Sequence, residues 1–190
     1  MPGLKAFYRS HPDIEVMVDA TPEVLDLEAG HWDLALREGT GPYPGLSSEL
    51  LFPLDLVPVS APAYARHELR RTRTRWQKAR LLHDGDDSRW RAWFEMADLG
   101  RVEPTQHLFF SNTAMAIEAA IDHQGVALVA PWLVRRELAG GTLTVVDARP
   151  LVTGAGVHAV WPKEGSRDSS NARTFRQWLL ETASRDRQDA

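Results

Sequence analysis

Residues 108–131 read LFFSNTAMAIEAAIDHQGVALVAP, and this stretch decides the fold class. The apolar run 108–110 predicts a short strand, and the spacing within 112–122 predicts a helix. The predicted apolar stripe of that helix consists of Ala114, Ile117 and Ile121. Gly125 is typical of a position just past a helix end, and the uninterrupted apolar run 126–129 indicates a buried strand. The stretch therefore predicts a strand, a helix and a second strand in succession, as α/β proteins have.

The same alternation continues on both sides of this stretch. Further strands are predicted over residues 14–18, 33–37, 50–59, 81–83, 143–146 and 157–161. Further helices are predicted over residues 3–10, 24–28, 90–97, 132–138 and 169–184. Pro53 and Pro58 assign the stretch 50–59 to a sheet edge or a hinge, because proline cannot donate to a strand ladder. Together these elements predict an α/β protein with mostly parallel sheets, which bind ligands beyond the carboxyl ends of their strands.

The composition excludes several classes of protein. The 190 residues are 43% apolar and 25% charged, which is ordinary for a folded domain and argues against disorder. There is no cysteine, so thiol catalysis, thiolate zinc sites and iron–sulfur clusters are excluded. The net charge of -4 argues against a general nucleic-acid binder. The longest apolar run, 126–134, is too short for a bilayer, and the first residues hold no signal-peptide core, so we expect a soluble protein.

The common catalytic motifs are absent from the sequence. There is no nucleophile elbow, no H-E-x-x-H motif and no P-loop. Three glycines over 39–45 lie one residue off the dinucleotide-binding spacing, and the prolines between them favour a surface loop. The seven histidines are dispersed, so no metal-binding pair on one helix is indicated. His83, His107 and Asp84 are the nearest candidates for acid–base catalysis, but the sequence assigns them no partner.

Two charged stretches allow both a functional and a structural interpretation. HDGDD at 83–87 has the ligand types of a metal site, but a solvated turn capped by Asp87 or Ser88 is favoured. Cations are dense between residues 66 and 80, which suits phosphate or nucleic acid. A solvated helix and loop is favoured there too, since Trp76 is the single aromatic residue among those cations. The cations are Arg66, Arg70, Arg71, Arg73, Arg75, Lys78 and Arg80.

The segment 110–113, Phe-Ser-Asn-Thr, lies where a predicted strand gives way to a predicted helix. Free backbone N–H groups and the positive end of the helix dipole make such a position suitable for a carboxylate or a phosphate. The hydroxyls of Ser111 and Thr113 and the amide of Asn112 add neutral donors. Ordinary N-capping by Ser111 or Asn112 explains the same residues. On the residues alone, both interpretations stay open.

Seven pieces of the sequence, taken in order and with their spacing, resemble one known family. The pieces are HPDIEV at 11–16, DLEAGHWDLALREGTGPYPGL at 26–46, LDLVPVSAP at 54–62, LLHD at 81–84 followed by WRAWF at 90–94, FSNTAMAIEAAIDHQGVALVAP at 110–131, LVRRELAGGTL at 133–143 and FRQWLLE at 175–181. They resemble the effector-binding domain of LysR-type transcriptional regulators, in the branch of the glycine-cleavage and β-lactamase activators. The resemblance runs from Leu4 to Glu181, which is nearly the whole chain.

The resemblance implies two Rossmann-like α/β lobes of the type 2 periplasmic-binding-protein fold, joined by two crossovers. One lobe is expected over 1–59 plus 158–190 and the other over 60–157, with a small and often anionic effector in the cleft. The implied effector contacts are Thr21, Arg37, Gly39, Ser60, Ser111, Asn112, Thr113, Ala130 and Pro131. Arg37 has an alternative role, because an arginine at a strand end often pairs with a structural carboxylate, here Asp33.

The resemblance also implies a cytoplasmic sensor that is not an enzyme and needs no cofactor or metal. Family members begin with a helix-turn-helix, so DNA binding is expected only through an N-terminal domain that this sequence lacks. The first strand of the regulatory domain is also expected to be missing, which exposes backbone groups of its neighbours. A homodimer or higher oligomer is expected, with the first helix and following strand of one subunit against the second lobe of its partner. The apolar contacts of this dimer are expected to include Leu4, Phe7 and Tyr8.

The implied mechanism is a population shift. An effector that contacts both lobes favours one arrangement, and dimer contacts carry the change to the DNA-binding heads. A solute-binding protein of a transporter shares this fold and is the alternative. An upstream helix-turn-helix supports the regulator, whereas an upstream signal peptide supports the transporter.

Overall fold

The structure is a computed structural model that describes residues 3–21, 23–27, 29, 31–69, 75–99, 102–163 and 169–188. The chain divides into two compact units. The first unit consists of Met1–Pro53 and Ala155–Ala190, and the second of Leu54–Gly154. Helices and strands occur in both units, which confirms the predicted α/β class.

The first unit is built around a three-stranded sheet with the order β1-β8-β2. Its elements are α1 (Leu4–Ser10), β1 (Ala35–Gly39), β2 (Leu46–Pro53), β8 (Gly156–Pro162) and α7 (Ser170–Gln188). Both pairings are antiparallel, and the register places Arg37 and Leu50 on either side of His158. The central strand of this sheet therefore comes from the C-terminal part of the chain, between two strands from the N-terminal part.

Two groups of apolar side chains hold the first unit together. Leu51, Ala159, Leu179 and Ala183 form a buried cluster in which α7 packs on the sheet. Phe7 of α1 is fully buried, with its ring centroid 5.1 Å from that of Phe175 and 5.0 Å from that of Trp178. Phe7 is thus an internal contact of its own unit. Tyr8, its neighbour, is the exposed aromatic residue of α1.

Two sequence predictions for the first unit are wrong. Residues 14–18 form no strand, and Met17 and Val18 are 81% and 66% exposed. Residues 24–27 of the predicted 24–28 helix are not helical, and Glu28 lies outside the described residues. An alternating apolar pattern yields a strand only when a neighbouring strand supplies ladder hydrogen bonds, and the described residues place no strand beside 14–18.

The second unit contains a five-stranded sheet with the order β5-β4-β6-β3-β7. Its strands are β3 (Val57–Ser60), β4 (Arg80–Asp84), β5 (Gln106–Phe110), β6 (Val126–Val129) and β7 (Thr144–Val145). Its helices are α2 (Pro62–His67), α3 (Arg75–Lys78), α4 (Ser88–Met96), α5 (Thr113–Ile121), a 3-10 helix (Pro131–Val134) and α6 (Arg135–Ala139). The quoted stretch 108–131 is thus β5, α5 and β6, as predicted.

The prediction of mostly parallel sheets is wrong. Only β4–β5 and β4–β6 pair in parallel, whereas β3–β6, β3–β7 and both pairings of the first sheet are antiparallel among the described strands. The stretch 50–59 also does not continue as one strand, because β2 ends at Pro53 in one sheet and β3 begins at Val57 in the other. Pro58 lies inside the second sheet, where its carbonyl accepts from the Val146 N–H at 2.8 Å.

The sheet of the second unit packs against α5. The buried cluster there comprises Val57, Val59, Leu82, Ala116, Ala119, Ala120, Ala127, Val129, Val134 and Leu143. Ala114 of the predicted stripe is exposed, and the buried face of α5 is instead formed by Ala116, Ala119 and Ala120. Small alanines at these positions let the helix lie close to the strands, with Ile117 and Ile121 covering the margin.

An aromatic cluster forms a second core in this unit. Trp76, Trp90, Trp93 and Phe94 are all buried, and the ring centroids of the three tryptophans lie 4.9 to 5.9 Å apart. Two indole nitrogens donate to backbone carbonyls, from Trp90 to Leu82 at 3.0 Å and from Trp93 to Arg149 at 2.9 Å. These bonds satisfy the polar atoms that burial would otherwise leave without partners.

The role predicted for Gly125 at the end of α5 is wrong. The helix ends at Ile121, and the residue with positive φ beyond it is His123, at 60°. Gly125 is required for a different reason, because a Cβ there would collide with the carbonyl oxygen of Arg80 on β4. Across the described residues, no helix is both long and apolar enough to cross a membrane.

Candidate functional site

The carboxyl ends of three parallel strands bring several predicted site residues to one edge of the second sheet. Strands β5, β4 and β6 run in the same direction and lie side by side. Their ends are therefore followed at one edge by Ser111, Gly85 and Ala130 respectively. The loops after β4 and β5 are joined there, because the Gly85 N–H donates to the Phe110 carbonyl at 3.0 Å.

Thr113 is held at this edge by a carboxylate. Its hydroxyl donates to Asp84 Oδ2 at 2.6 Å, and Arg89 Nη1 donates to the same oxygen at 2.8 Å. Asp84 is the last residue of β4, and Thr113 is the first residue of α5. The contact joins a strand end to a helix start across 29 residues of sequence. Because the Thr113 hydrogen points at Asp84, the Thr113 oxygen can only accept from any further group.

Ser111 and Asn112 form the cap of α5. Asn112 Oδ1 accepts from the Met115 N–H at 3.0 Å, so the capping interpretation of Asn112 is confirmed. Asn112 Nδ2 donates to Ser111 Oγ at 3.4 Å, and both side chains are exposed. Capping fixes the loop and leaves both residues accessible, so it does not compete with a ligand for the position.

Ala130 and Pro131 follow β6 at the same edge. Ala130 is buried, and its carbonyl accepts from the Leu133 N–H at 3.0 Å, which starts the 3-10 helix. Pro131 is exposed and is the first residue of that helix, where its missing N–H costs nothing. The edge thus presents an apolar backbone turn beside the polar start of α5.

Ser60 is not brought together with these residues. It ends β3, which runs antiparallel to β6, so it lies toward the amino end of β6. Ala61 beside it donates its N–H to Ala120 near the far end of α5, at 3.2 Å. The side chain of Ser60 is fully buried and its hydroxyl donates to the Ala61 carbonyl at 3.3 Å. The crossing expected near Ser60 lies instead at Pro53–Leu54, where the two compact units meet along the chain.

In the first unit, Arg37 is oriented by a backbone carbonyl. Its Nη2 donates to the Leu25 carbonyl at 2.6 Å, and its guanidinium carbon lies 5.9 Å from the centroid of the Tyr43 ring. Asp33, the alternative partner, is exposed. A guanidinium carries five N–H groups, so the Leu25 contact leaves others for a further acceptor.

Gly39 makes room for Tyr43. A Cβ at Gly39 would lie 3.0 Å from the Tyr43 hydroxyl, which donates to the Arg37 carbonyl at 3.4 Å. The same hydroxyl lies 3.4 Å from His158 Nδ1. Arg37, Tyr43 and His158 therefore form a polar group on β1, the loop after it and β8.

Thr21 lies on its own within the first unit. Its hydroxyl accepts from the Glu23 N–H at 3.2 Å, and the residue is exposed. It follows residues 14–18, which form no strand, so no sheet end positions it.

The charged stretches have structural explanations in the described part of the chain. Asp86 Oδ1 accepts from the Ser88 N–H at 2.8 Å, so Asp86, rather than the predicted Asp87 or Ser88, supplies the side-chain acceptor ahead of α4. Hydrogen bonds from Ser88 lower the pKa of Asp86. No group of three or more histidines, aspartates or glutamates that could hold a metal ion occurs among the described residues. Arg70, Arg71 and Arg73 of the cationic stretch lie outside those residues, and Arg75 pairs with Asp147 at 2.9 Å.

Three residues of these groups were missed or given another role by sequence reasoning. Asp84 was considered for metal binding or catalysis, although its position at a strand end before a glycine marks it as an edge residue. Tyr43 lies among glycines and prolines that form turns, so a single aromatic residue there indicates a role other than turn formation. His158 is brought to Tyr43 by strand pairing over 115 residues, which no local pattern reveals.

Comparison with known proteins identifies relatives over nearly the whole chain. The sequence profile described as LysR substrate binding domain matches residues 1–184. The glycine cleavage system transcriptional activator of Escherichia coli K12 is 30% identical over 184 residues, covering 96% of this chain and 60% of that protein. The transcriptional activator AmpR of Pseudomonas aeruginosa PAO1 is 30% identical over 186 residues, covering 96% of this chain and 61% of that protein. The chain thus spans about three fifths of the length of the curated relatives it matches.

Solved structures show the same fold. The effector domain of AmpR of Pseudomonas aeruginosa superposes with a TM-score of 0.82 and 26% identity, covering 99% of this chain and 90% of that one. The AmpR effector-binding domain of Citrobacter freundii superposes with a TM-score of 0.78 and 21% identity, covering 97% of this chain and 90% of that one. These likenesses confirm the predicted architecture, the type 2 periplasmic-binding-protein fold.

Proposed function

Since the chain belongs to the LysR substrate-binding domain family, we propose that it is the effector-binding module of a bacterial LysR-type transcriptional regulator. In this role it senses a small molecule and performs no chemistry on it. DNA binding belongs to a domain outside this chain, and the regulator works in the cytoplasm. The relatives named above are transcriptional activators, so a transporter's solute-binding protein is not favoured.

One observation carries the proposal: Thr113 is fixed by Asp84 at the carboxyl edge of the second sheet, with an O–O distance of 2.6 Å. A hydroxyl held by a carboxylate has one orientation, so it is prepared for a ligand before the ligand arrives. Ser111 and Asn112 stand beside it with exposed polar atoms. Ala130 and Pro131 add an apolar wall, and we assign effector contacts to all five residues. Ser60 is left out because it is buried away from this edge.

These groups favour a particular class of effector. The start of α5 offers N–H groups and a positive dipole end to a carboxylate. The Thr113 oxygen instead accepts, because its hydrogen is engaged by Asp84. A small carboxylate that also carries an N–H or O–H donor satisfies both, as an α-amino acid or an α-hydroxy acid does.

The first unit contributes its own contacts in this proposal. Arg37 is the cation for a carboxylate, and the Leu25 carbonyl and the Tyr43 ring hold its guanidinium in place. Gly39 has no side chain and therefore leaves room for the Tyr43 hydroxyl beside it. Thr21 is the remaining contact; its oxygen accepts from the Glu23 N–H, and the hydrogen of its exposed hydroxyl can donate to a ligand.

Subunit association completes the proposed function. We assign the outer face of α1 to a dimer contact, with Tyr8 as its exposed aromatic residue and Leu4 beside it. Phe7 is excluded from that contact, since it packs inside its own unit on Phe175 and Trp178.

The test is a thermal-shift screen of the 190-residue chain against α-amino acids, α-hydroxy acids and the matching simple carboxylates. A ligand at one hundred times its Kd stabilises the chain by about 2.7 kcal/mol. We expect a shift with an amino or hydroxy acid and a much smaller one with the carboxylate that lacks the donor.

Two variants make the screen specific. Thr113→Val removes the accepting oxygen and is expected to abolish the shift, while Thr113→Ser keeps the oxygen and retains it. An unchanged shift in Thr113→Val overturns the assignment of this edge. Arg37→Lys separates the contribution of the first unit, because it keeps the charge and loses the fork of N–H groups.

A further inference from the structure

His83 and His107 lie against each other on neighbouring strands of the second unit. The parallel register pairs Leu81 with His107 and His83 with Phe109, so the two histidines share one face of the sheet. His83 Nε2 lies 2.9 Å from His107 Nδ1, which is hydrogen-bond distance. His83 is 1% exposed, and the Phe109 ring is stacked on it at 4.4 Å. We call these two residues the histidine pair.

The two outer nitrogens of the histidine pair both face backbone carbonyls. His83 Nδ1 lies 3.3 Å from the Asp86 carbonyl oxygen, in the turn after β4. His107 Nε2 lies 3.0 Å from the Pro104 carbonyl oxygen, in the segment before β5. A carbonyl oxygen only accepts, so each of these contacts needs a hydrogen on the ring nitrogen.

Counting hydrogens shows what the histidine pair requires. The two carbonyl contacts and the contact between the rings make three hydrogen bonds, and each needs one N–H. Two neutral imidazoles carry one N–H each and supply only two. If both outer contacts have their hydrogen, the inner nitrogens face each other with lone pairs at 2.9 Å. One additional proton between the rings completes all three bonds and gives the pair a single positive charge.

The charged groups around the histidine pair are mostly acidic. Both rings line a cavity of about 620 Å3, which also meets carboxylates of α4 and of the segments beside it. These cavity carboxylates are Asp87, Glu95, Asp98 and Glu103. Asp84 on β4 and Asp86 in the turn lie close by. Arg89 pairs with Asp84 and Arg91 with Asp87, so the two cations of α4 are each matched by a carboxylate.

Two physical effects act against each other on the additional proton. Burial, and to a smaller extent the charge of a protonated His107, lower the pKa of His83, while the Asp86 carbonyl and the charges of Asp87 and Asp84 raise it. The burial effect is the largest, so the ring takes up a proton only below the ordinary histidine value of about 6.5. Protonation of His83 is therefore shifted toward lower pH.

We propose that His83 and His107 form a single proton-binding site, in which one shared proton ties the Asp86 turn and the Pro104 segment to the sheet. The site is empty of this proton in neutral solution and filled in mild acid. Filling it completes a chain of hydrogen bonds from the Asp86 carbonyl through both rings to the Pro104 carbonyl. Acidification thus tightens two segments that border the cavity. This inference does not depend on the proposed effector.

The first test follows the imidazole nitrogens of the isotope-labelled 190-residue chain by NMR from about pH 8 to about pH 5, in the presence of a metal chelator. We expect His83 and His107 to change together over one pH interval and to take up one proton between them. In mild acid we expect a coupling between His83 Nε2 and His107 Nδ1 across their hydrogen bond. Two independent one-proton titrations, or no uptake down to about pH 5, overturn the proposal. So does a response that disappears with the chelator.

The second test uses matched variants. His107→Asn places an amide at the position of His107 Nδ1, and an amide presents either a donor or an acceptor. Its NH2 can donate to a neutral His83, so proton uptake by His83 over the same pH interval is expected to be lost. His67→Asn is the control, since His67 is exposed on α2 and is expected to leave the behaviour of the histidine pair unchanged. Uptake by His83 over the same pH interval in His107→Asn, together with no coupling between the two rings of the unmodified chain, contradicts a shared proton. If that variant fails to fold, the coupling in the unmodified chain decides.

Discussion

The sheets of the two units bury their strands to different extents. In the second unit, every residue of β3 and of β6 is buried, and each of these strands has a neighbour on both sides. In the first unit, the edge strand β1 alternates between half-buried and exposed residues, Leu51 is the one buried residue of the edge strand β2, and even the central strand β8 buries only three of its seven residues. The second unit therefore depends on the interior of its sheet, whereas the first depends on one face of its sheet packed on α7. The same substitution is expected to have different consequences in the two units.

The largest expected effect is a tryptophan truncation. Trp93→Ala in the second unit removes a fully buried ring and its bond to the Arg149 carbonyl, and is expected to cost about 3–5 kcal/mol of unfolding free energy. Trp161→Ala in the first unit removes a half-buried ring that Arg176 covers, so it is expected to cost less. Urea unfolding followed by circular dichroism measures both. Equal losses would contradict the difference between the units.

The next effect compares two glycines that leave no room for a side chain. A Cβ at Gly125 meets the Arg80 carbonyl, and a Cβ at Gly156 meets the flexible end of Leu50 and the Phe52 carbonyl at 2.8 Å. Both alanine variants are expected to lose about 1–3 kcal/mol, because the backbone or a neighbour must shift. Gly125→Ala is expected to lose more, since the closest atom to its Cβ is a backbone carbonyl oxygen, whereas the closest atom to the Gly156 Cβ is the flexible end of Leu50. The same urea experiment decides, and a larger loss in Gly156→Ala would reverse the comparison.

The next comparison concerns a carboxylate of the second unit. Hydrogen bonds from Arg149 and the charge of Arg75 lower the pKa of Asp147, so folding favours its ionised form. Its contribution is present above the ordinary aspartate value of about 3.9 and is lost as the pH falls through the lowered pKa. Asp147→Asn is expected to lose about 1–3 kcal/mol of unfolding free energy at neutral pH. The stability of this variant is expected to fall less steeply as the pH is lowered.

The matched control for this prediction lies in the first unit. Glu181 accepts from Gln177 on the exposed side of α7, so Glu181→Gln is expected to change stability by less than about 0.5 kcal/mol. Acid titrations of both variants, followed by circular dichroism, give the comparison. A steep acid transition that persists in Asp147→Asn would show that another group carries it.

The smallest expected effect is in residues 14–18. Val18→Thr is expected to change the unfolding free energy by less than about 0.5 kcal/mol, because the side chain is exposed and the segment forms no ladder. The same chemical change at Val129, inside β6, buries a hydroxyl and is expected to cost about 1–3 kcal/mol. Urea midpoints of the two variants test this pair. A substantial loss in Val18→Thr would mean that this segment is paired in solution.

Local pattern was sufficient where an element packs on what lies next to it in sequence. Helix α5 and strands β5 and β6 are contiguous along the chain and pack on one another, so spacing and capping predicted them. Residues 14–18 have the same quality of pattern, yet form no strand, because a ladder needs a partner that no local pattern can guarantee. The direction of the strands was also beyond reach, since β3 reverses against β6 through an intervening 65 residues or so of chain.

The residues of the candidate site fall into the same two groups, those that a local pattern predicts and those that strand pairing brings together. Ser111, Asn112 and Thr113 were predicted because they are a strand end and a helix start in sequence. Asp84 joins Thr113 only through the pairing of β4 with β5, and His158 joins Tyr43 only through β8. Ser60 was assigned as an effector contact through the resemblance, which implied a crossover there, whereas the chain leaves the first unit at Pro53 and completes β3 within the second.

The aromatic cluster of the second unit has an optical consequence. Indole rings 4.9 to 5.9 Å apart couple their excited states, so Trp76, Trp90 and Trp93 are expected to give a strong near-ultraviolet dichroism that vanishes when their packing is lost. The first unit absorbs through three tryptophans, Trp32, Trp161 under the Arg176 guanidinium, and Trp178 beside Phe7. Near-ultraviolet dichroism therefore reports on the aromatic packing of the second unit without any added label.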